Sequence, residues 1–575
     1  MIKNFIIKTK LNVSSMLRHG SVAVATLLIV AVLFGKENIM LAFPIALTST
    51  VMGRQNFHVK TLSKALRIIF VDIAIVIVAH ISSLNLILGI PINFISIFLI
   101  MYTIVSPYDL TFYKPFLMLY IFTQYAAVPT NQLGNRIMAV ILGIGIVMLA
   151  SVINKANGKS ILGKSVKVAL EVINSQLNNI TNKNYDEKLQ DKCSRMMRDL
   201  AYRIYITRYK SYLTTNLGMI QFRLFIAIEN LNLSLKNLSD KAKEGNVDIS
   251  FIDNIGALVN GIIEYEEGNG EIPSINFKFN DINDFKEKEE VSTTEKDMIE
   301  NLEIILSSIK ELEDLGLDEV NKIYDKWERT DIDNPLSMFK EYFSKDSIRF
   351  KFAMRMALTM TVALFLGKSL GYYKIIWAII TIMSIMQPYY EDTIEKAKDR
   401  ILGNVIAIVS TGVLINFVNS DIFTIIVLII SLYLLYGFKE YYKISLFAGM
   451  ASMCIASLQE NINILIFYRV IYVIVGVGLV MMINKYVFPY RLKDGIEALI
   501  QKITRLKFNL IDAVKEAKNN TEKEHEIRDT VIHLTLLSQK LYLRNQQYSY
   551  DNVDKFIESN NRFIIVLAYN VLKNL

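Results

Sequence analysis

Cysteine and histidine are scarce in this chain, and their scarcity excludes several classes of protein. The 575 residues contain two cysteines, Cys193 and Cys454, too few for a disulfide-stabilised scaffold or a four-cysteine metal site. The five histidines show neither an HExxH motif nor a paired spacing that favours zinc. No Ser-His-Asp or paired-carboxylate arrangement can be argued from spacing. The sequence therefore gives no motif for a membrane-bound enzyme, and we expect no metal or cofactor.

Apolar residues are abundant instead. They make up 52% of the chain, and the mean hydropathy is +0.32. A soluble protein of this length rarely averages above zero, so we expect lipid to be the solvent for much of the chain. The net charge of +8 is not typical of a nucleic-acid-binding protein, because the basic residues cluster beside apolar segments and do not form one stripe.

Six apolar segments fill the first 154 residues, and several are shorter than the roughly 20 residues of a typical membrane-crossing helix. They lie at about residues 21–34, 39–52, 66–80, 84–105, 116–128 and 137–153. Their boundaries allow five or six spans, and the loops favour six. Lysine and arginine occur in alternate loops, which places both ends of this module in the cytoplasm. The first segment shows no apparent cleavage site, and we expect it to be retained.

A second set of apolar segments follows at about residues 350–367, 372–387, 401–418, 422–437, 444–458 and 464–487. Polar regions with helical periodicity separate and follow the two sets. One contains Leu224, Ile228, Leu231 and Leu235 at helical spacing, an acidic insert, and a predicted helix around residues 296–327. The sequence thus predicts an all-α membrane protein with six-helix transmembrane modules at 1–154 and 346–488. Cytoplasmic helical domains are predicted at 155–345 and 489–575.

The two apolar modules match each other at a shift of 333 residues without a gap. The matched pairs are Arg67 and Arg400, Arg136 and Arg469, Gly143 and Gly476, Gly145 and Gly478, Thr26 and Thr359, Thr48 and Thr381, and Tyr108 and Tyr441. An even number of spans in each copy predicts a parallel repeat, whose pseudo-two-fold axis runs along the membrane normal. A conduction path between the halves follows as a hypothesis. The paired glycines are interpreted as sites of close helix packing.

The four paired arginines are the first candidates for chemistry. An arginine at the bilayer centre costs about 2.5–3.5 kcal/mol on insertion scales, so such residues usually face a partner or a water-filled route. Arg469 lies inside the apolar run NILIFYRVIYVIV, and Arg136 is its equivalent, whereas Arg67 and Arg400 lie at the ends of segments. Together they predict two rings of positive charge along an anion path. For Arg469, snorkelling to head groups or pairing with Glu460 is the alternative.

Three acidic or titratable residues are candidates for proton coupling. Asp72 and His80 share one segment of the first module, and their equivalents in the second are Val405 and Val413. A buried carboxylate or imidazole can carry a proton. Any such role would therefore belong to one half only, and Glu460 is the third candidate. Pairing with an arginine is the alternative.

Residues 158–165, GKSILGKS, satisfy the phosphate-loop pattern GxxxxGK[ST]. That loop works by following a buried strand and holding phosphate at a helix N-terminus. Here a membrane segment precedes the motif and no βαβ pattern surrounds it. We do not expect nucleotide binding.

Residues 371–407 carry a more specific pattern. Trp377 lies in one apolar segment, Gln387 and Pro388 close it, and a charged helix leads to Arg400. In this pattern the chain resembles the FUSC family, the fusaric-acid-resistance and aromatic-acid-exporter group of bacterial membrane proteins. The first module matches it poorly, since Pro44 stands in the place of Trp377. Trp377 is open to two interpretations, an aromatic belt at the membrane interface or a platform for substrate.

The resemblance implies an exporter of aromatic carboxylic acids or related hydrophobic anions in the bacterial inner membrane, driven by the proton gradient. The candidate substrate-binding residues are Arg67, Arg136, Arg400, Arg469 and Trp377. Arginine binds carboxylates through two parallel hydrogen bonds and stacks on aromatic faces, which suits such a substrate. The same broad group resembles plant malate channels, so a passive anion channel is the first alternative. A non-transporting membrane scaffold is the second, and homo-oligomerisation is left open.

Overall fold

The computed structural model describes residues 11–54, 61–104, 112–153, 164–207, 216–245, 247–266, 292–314, 347–371, 373–418, 420–458, 460–517 and 524–573. Every regular element in these ranges is a helix. The chain divides into two compact units. The first combines residues 1–155 with 333–495, and the second combines residues 156–332 with 496–575. The all-α prediction is confirmed for the described residues.

The first half of the first unit contains helices α1 to α6. They are α1 Val13–Phe34, α2 Ile39–Arg54, α3 Thr61–Leu84, α4 Leu86–Ile104, α5 Lys114–Tyr125 and α6 Leu133–Ile153. The Asn12 side chain caps α1 by accepting a hydrogen bond from the Ser15 amide at 2.9 Å. Gly35 ends that helix at a φ of 82°, where a residue without Cβ is least strained.

The second half of this unit contains helices α12 to α17. They are α12 Ile348–Ser369, α13 Ile376–Ile385, α14 Tyr390–Val418, α15 Asp421–Leu435, α16 Tyr441–Ser457 and α17 Ile462–Tyr486. The short α13 ends before Gln387, because Pro388 disfavours helical dihedrals in the residue that precedes it. The N-cap residues of α15 and α16, Ser420 and Glu440, both have extended backbone dihedrals.

Seven of the described helices are long and apolar enough to cross a membrane. These candidate spans lie at Val13–Phe34, Ala65–Leu84, Leu86–Ile104, Thr130–Ala150, Ile348–Ser369, Tyr390–Val418 and Ile462–Tyr486. Three shorter apolar helices lie at Ile39–Thr50, Ile376–Ile385 and Asp421–Leu435. Large apolar side chains remain exposed on several of them, such as Phe417 at 89% and Val32 at 80%. Such faces are suited to lipid tails, so the unit belongs in a bilayer.

Some helix contacts recur in both halves of this unit. In the first half α2 contacts α6 and α3 contacts α5, and in the second half α13 contacts α17 and α14 contacts α16. The contacts between the halves are reciprocal: α12 packs on α4, and α15 packs on α1. At a shift of 333 residues, α12 corresponds to α1 and α15 to α4. Both contacts between the halves therefore join helices at matched positions of the two segments.

The matched glycines divide into two kinds. A Cβ on Gly143 would lie 2.9 Å from Ile45, and one on Gly476 would lie 3.0 Å from the carbonyl oxygen of Ala378. Ile45 and Ala378 are themselves matched by the shift, so each of these glycines permits the same close approach of two helices. Gly145 and Gly478 have no heavy atom within 4 Å of the added Cβ. The close-packing interpretation therefore holds for the matched pair Gly143 and Gly476, and nothing supports it for Gly145 and Gly478 among the described residues.

The second unit is a bundle of polar-faced helices. They are α7 Lys164–Thr181, α8 Glu187–Thr207, α9 Asn216–Lys243, α10 Ile249–Glu266, α11 Thr293–Asp314, α18 Leu492–Ala517 from residue 496 onward, α19 Glu524–Tyr548 and α20 Val553–Lys573. The predicted stripe Leu224, Ile228, Leu231 and Leu235 lies on α9, and all four side chains are fully buried. The bundle forms because α9 packs against α7, α8, α11 and α20.

Two sequence motifs fall partly outside the described residues. Residues 158–163 of the phosphate-loop pattern lie outside them, and Lys164 opens α7. The helix predicted around residues 296–327 is described as Thr293–Asp314, and residues 315–346 lie outside the described part.

Candidate functional site

The second half of the first unit brings together three of the predicted site residues. Arg400 lies on α14, Arg469 on α17 and Trp377 on α13, and all three side chains are buried. The guanidinium carbon of Arg469 lies 5.4 Å from the centroid of the Trp377 ring. This distance is within the range of a cation–π interaction.

Polar side chains connect the two arginines. Arg469 Nε donates to Asn404 Oδ1 at 3.1 Å, and Asn404 Nδ2 donates to the Arg400 carbonyl oxygen at 2.8 Å. Arg400 Nη1 and Asn404 Nδ2 both reach Ser445 Oγ, at 3.4 and 3.2 Å. Arg469 Nη1 also donates to Ser452 Oγ at 2.6 Å. We call this set, with Trp377, the Arg400–Arg469 cluster: Trp377, Arg400, Asn404, Ser445, Ser452 and Arg469.

The Arg400–Arg469 cluster carries positive charge that is balanced by no described acid. The hydrogen-bond partners of Arg400 and Arg469 among the described residues are neutral. The Nε of Arg400 is buried and has no hydrogen-bond partner there. Two buried guanidinium groups without a carboxylate are costly. Their free donors are the chemistry that binds a carboxylate or another oxyanion.

Two glycines allow α14 and α16 to approach closely enough to build this cluster. A Cβ on Gly403 would lie 2.4 Å from the Tyr442 carbonyl oxygen. A Cβ on Gly449 would lie 2.8 Å from the Cβ of Ala407 and 3.6 Å from Arg469 Nη2. Because both positions lack a side chain, Ser445 comes within reach of Asn404, and space remains beside the guanidinium of Arg469.

Arg136, the first-half equivalent of Arg469, has a different environment. It is fully buried, and it donates to Asn38 Oδ1 at 3.1 Å and to the carbonyl oxygens of Thr123 and Glu37 at 3.0 and 3.4 Å. Thr123 lies in the last turn of α5, where carbonyl groups lack partners within the helix. Arg136 therefore fixes the end of a helix. The equivalents of Asn404 and Ser452 in this half are Val71 and Leu119, so the two side chains that bind Arg469 have no polar counterparts here.

The other predicted residues of the first half are dispersed. Arg67 is exposed near the start of α3. Asp72 is buried, and its Oδ1 has no hydrogen-bond partner among the described residues. His80 is buried, with Nε2 3.3 Å from Thr130 Oγ1. Within the described part of the chain, neither Asp72 nor His80 forms an ion pair or a hydrogen bond with an arginine.

Glu460 forms an ion pair with Lys374. Lys374 Nζ also lies 4.3 Å from the centroid of the Tyr468 ring. Arg469 donates to Asn404 and Ser452 instead, so the alternative in which Glu460 neutralises Arg469 is wrong. Lys374 lies in the short 3-10 helix Tyr373–Ile375 that precedes α13, and Tyr468 comes directly before Arg469 on α17.

Sequence reasoning missed Arg355, which holds the Gln387-Pro388 break in place. Arg355 is fully buried on α12 and donates to the Pro388 carbonyl oxygen at 2.6 Å and to Asn484 Oδ1. Lys396 Nζ donates to Gln387 Oε1 at 3.0 Å. The signal in the sequence was a basic residue inside the apolar run FAMRMALTM. The repeat did not point to it, because the equivalent residue of the first half is Val22.

These features define an all-helical membrane protein with a buried cationic cluster in its second half. Residues 362–483 match the family described as fusaric acid resistance protein-like. The matched stretch contains Trp377, Gln387, Pro388, Arg400 and Arg469, and the resemblance to the FUSC family is confirmed for this part of the chain.

Among curated proteins, the chain is similar to inner membrane protein YccS of Escherichia coli (strain K12). The two are 23% identical over 178 residues, which cover 30% of this chain and 25% of YccS. The match thus spans about a quarter of the length of that relative. No solved structure matches the chain.

Proposed function

We propose that this protein exports aromatic carboxylates or other hydrophobic organic anions across the bacterial inner membrane. The Arg400–Arg469 cluster is the proposed substrate site. The observation that carries this proposal is the stacking of Arg469 on Trp377 beside a second buried arginine, with neutral hydrogen-bond partners only among the described residues. A carboxylate would supply the missing negative charge, and an aromatic ring would find Trp377 beside it.

The proposed architecture is a parallel repeat of two six-helix modules with the path between them. It is supported by the recurring helix neighbours and by the reciprocal packing of α12 on α4 and α15 on α1. Both termini and the second unit are proposed to lie in the cytoplasm, as the alternation of basic loops indicates.

The two halves have unequal roles in this proposal. Arg469 has an aromatic ring and polar side chains around it, whereas Arg136 donates to the Asn38 side chain and to two backbone carbonyl groups. We assign substrate binding to the second half and a structural role to Arg136, with Arg67 at the cytoplasmic mouth of the path. Asp72 and His80 remain the proposed proton-coupling residues, because a buried acid without an arginine partner can take up a proton.

Flux into proteoliposomes tests the proposal. Purified full chain is reconstituted, and uptake of benzoate is measured with and without an imposed pH gradient. We expect uptake that Arg469→Gln and Arg400→Gln each reduce about tenfold or more, since a charge-assisted hydrogen bond contributes about 1.5–3 kcal/mol. Lys485→Gln is the matched control, because it removes an exposed positive charge from the same helix as Arg469.

The outcomes separate the alternatives. Uptake that exceeds that of protein-free liposomes and follows the pH gradient supports proton-coupled export, and excess uptake that ignores the gradient supports a passive anion channel. Absence of flux for benzoate and for every other anion tried would support a scaffold. Equal flux in the native chain and both arginine variants would remove the Arg400–Arg469 cluster as the substrate site.

A further inference from the structure

A second group of polar side chains lies where the two halves of the first unit pack together, away from the Arg400–Arg469 cluster in the sequence. Lys368, in the last turn of α12, donates through Nζ to Gln124 Oε1 at 2.9 Å. Gln124 lies in the last turn of α5 and is 2% exposed. The lysine of one half is therefore anchored to a buried amide of the other.

Asn93 on α4 is at the centre of this group. Its Oδ1 accepts hydrogen bonds from Ser82 Oγ at 2.7 Å, from Tyr120 Oη at 2.8 Å and from Gln124 Nε2 at 2.5 Å. All four of these side chains are buried. Four helices, α3, α4, α5 and α12, thus contribute to one connected set: Ser82, Asn93, Tyr120, Gln124 and Lys368.

Hydrogen-bond donors outnumber acceptors in this set. Three donors already share the single Asn93 Oδ1, and Lys368 uses one of its three N–H groups on Gln124. The amide groups of Asn93 and Gln124 bring further N–H donors. A ligand that accepts several hydrogen bonds and carries negative charge is what this set lacks.

The direction of the Lys368 side chain supports a functional role. A lysine near the end of a membrane helix ordinarily extends its ammonium toward the head groups. Lys368 instead reaches inward to a buried amide, and no carboxylate contacts it among the described residues. Lys368 is half-buried, and its ammonium has one neutral acceptor among the described residues. Ionisable groups within membrane helices mark binding sites or pathways.

The other contact between the halves, that of α15 with α1, has different residues at the positions equivalent to this set. At the shift of 333 residues, Asn93 corresponds to Ile426, Gln124 to Ser457, Tyr120 to Met453 and Lys368 to Gly35. Packing alone therefore does not require these residues, because α15 and α1 make the equivalent contact without them.

We propose that Lys368, Gln124, Asn93 and Tyr120 form a second carboxylate-binding site, at the contact of α12 with α4 and α5. Lys368 supplies the charge, and the amides and the phenol supply directed donors. This inference rests on the proposed function only for the class of anion. The first unit then contains two anion sites with different donors, one of guanidinium groups beside an indole and one of an ammonium among amides.

Equilibrium binding of radiolabelled benzoate to the purified full chain in lipid nanodiscs tests this inference. We expect two benzoate molecules per native chain, one in Lys368→Gln, one in Arg469→Gln, and none in the double variant. Lys368→Arg keeps the charge and is expected to retain two. Gln124→Glu is an independent variant, because it places a carboxylate of the chain itself next to Lys368. We expect this variant to lose the second benzoate, and a thermal melt to show that it is still folded.

The failure of this inference is distinguishable from that of the proposed function. One benzoate per native chain, lost in Arg469→Gln and unchanged in both Lys368→Gln and Gln124→Glu, would overturn the second site and leave the first. One benzoate lost in the Lys368 and Gln124 variants but kept in Arg469→Gln would support the second site and overturn the first. No benzoate on the native chain would overturn both.

Discussion

The guanidinium of Arg469 stacks on the indole of Trp377, with 5.4 Å between the guanidinium carbon and the ring centroid. The two residues come from α17 and α13, which meet where Gly476 permits a close approach. Asn404 and Ser452 hold the guanidinium in this position. A cation fixed on an aromatic face offers an aromatic acid both of the contacts that it needs, charge for the carboxylate and a surface for the ring.

Trp377→Leu tests this arrangement through substrate preference. We expect it to reduce the ratio of benzoate flux to flux of an aliphatic carboxylate of similar size by about 2- to 30-fold, which corresponds to a cation–π or ring contact of about 0.5–2 kcal/mol. Arg469→Gln should lower the flux of both acids and leave their ratio closer to native. An unchanged ratio in Trp377→Leu would place the ring in a structural role.

The two matched arginines should differ in what they stabilise. Arg136→Gln leaves the buried Thr123 carbonyl oxygen without its donor and should lower the melting temperature, at a cost of about 1–3 kcal/mol. Arg469→Gln leaves Asn404 Oδ1 without its donor, but it also removes a buried positive charge whose hydrogen-bond partners among the described residues are neutral. Its melting temperature should fall less.

Thermal unfolding of both variants in the same detergent provides the comparison. A larger drop for Arg469→Gln than for Arg136→Gln would contradict the division into a structural and a substrate-binding arginine. Circular dichroism of each variant before heating confirms that the helices are formed.

Periodicity and hydropathy predicted most of the fold. The apolar segments at about residues 39–52 and 137–153 correspond to α2 at Ile39–Arg54 and α6 at Leu133–Ile153, because apolar runs bounded by Gly, Pro or charge are typical of membrane helices. The pairing of α12 with α4 could not be predicted, since hydropathy says which side chains avoid water and not which helix covers them.

The candidate site was predicted only in part. Arg400, Arg469 and Trp377 were selected from the repeat and the family pattern, and the structure brings them together. Asn404 and Ser445 were missed because single polar residues in an apolar helix carry no periodic signal. Arg136 and Arg469 looked alike in sequence. Only their neighbours separate them, since Arg136 donates to two backbone carbonyl groups as well as Asn38, and Arg469 donates to side chains beside Trp377.

Two neighbouring glycines of α17 provide a matched test of packing. Gly476→Ala would place a Cβ 3.0 Å from the Ala378 carbonyl oxygen and the Thr381 Cβ. Overpacking of this kind typically costs about 1–3 kcal/mol, so the melting temperature should fall. In Gly478→Ala the added Cβ meets no heavy atom of another described helix within 4 Å, so the melting temperature should stay unchanged or rise through better helix propensity. Equal effects would show that α13 and α17 can separate at no cost.

The second unit contains a buried acid whose ionisation should make stability depend on pH. Glu229 on α9 is 7% exposed; its Oε1 accepts from Ser194 Oγ at 2.7 Å, and its Oε2 has no hydrogen-bond partner among the described residues. Burial raises the pKa of the Glu229 carboxyl above its ordinary value, and the nearby Arg198 opposes this only in part. The folded state therefore favours the protonated acid.

The sign of the effect follows from that direction. The stability contributed by protonated Glu229 is complete below the ordinary glutamate pKa of about 4.3 and is lost as the pH rises through the raised folded value. Glu229→Gln removes this loss, so its melting temperature relative to the native full chain should be higher at pH 8 than at pH 5, by about 2 °C or more. Asp253→Asn, an exposed acid on α10, should show no such difference. If the advantage of Glu229→Gln were instead greater at pH 5, Glu229 would be stabilised in its charged form, and Arg198 would be its effective partner.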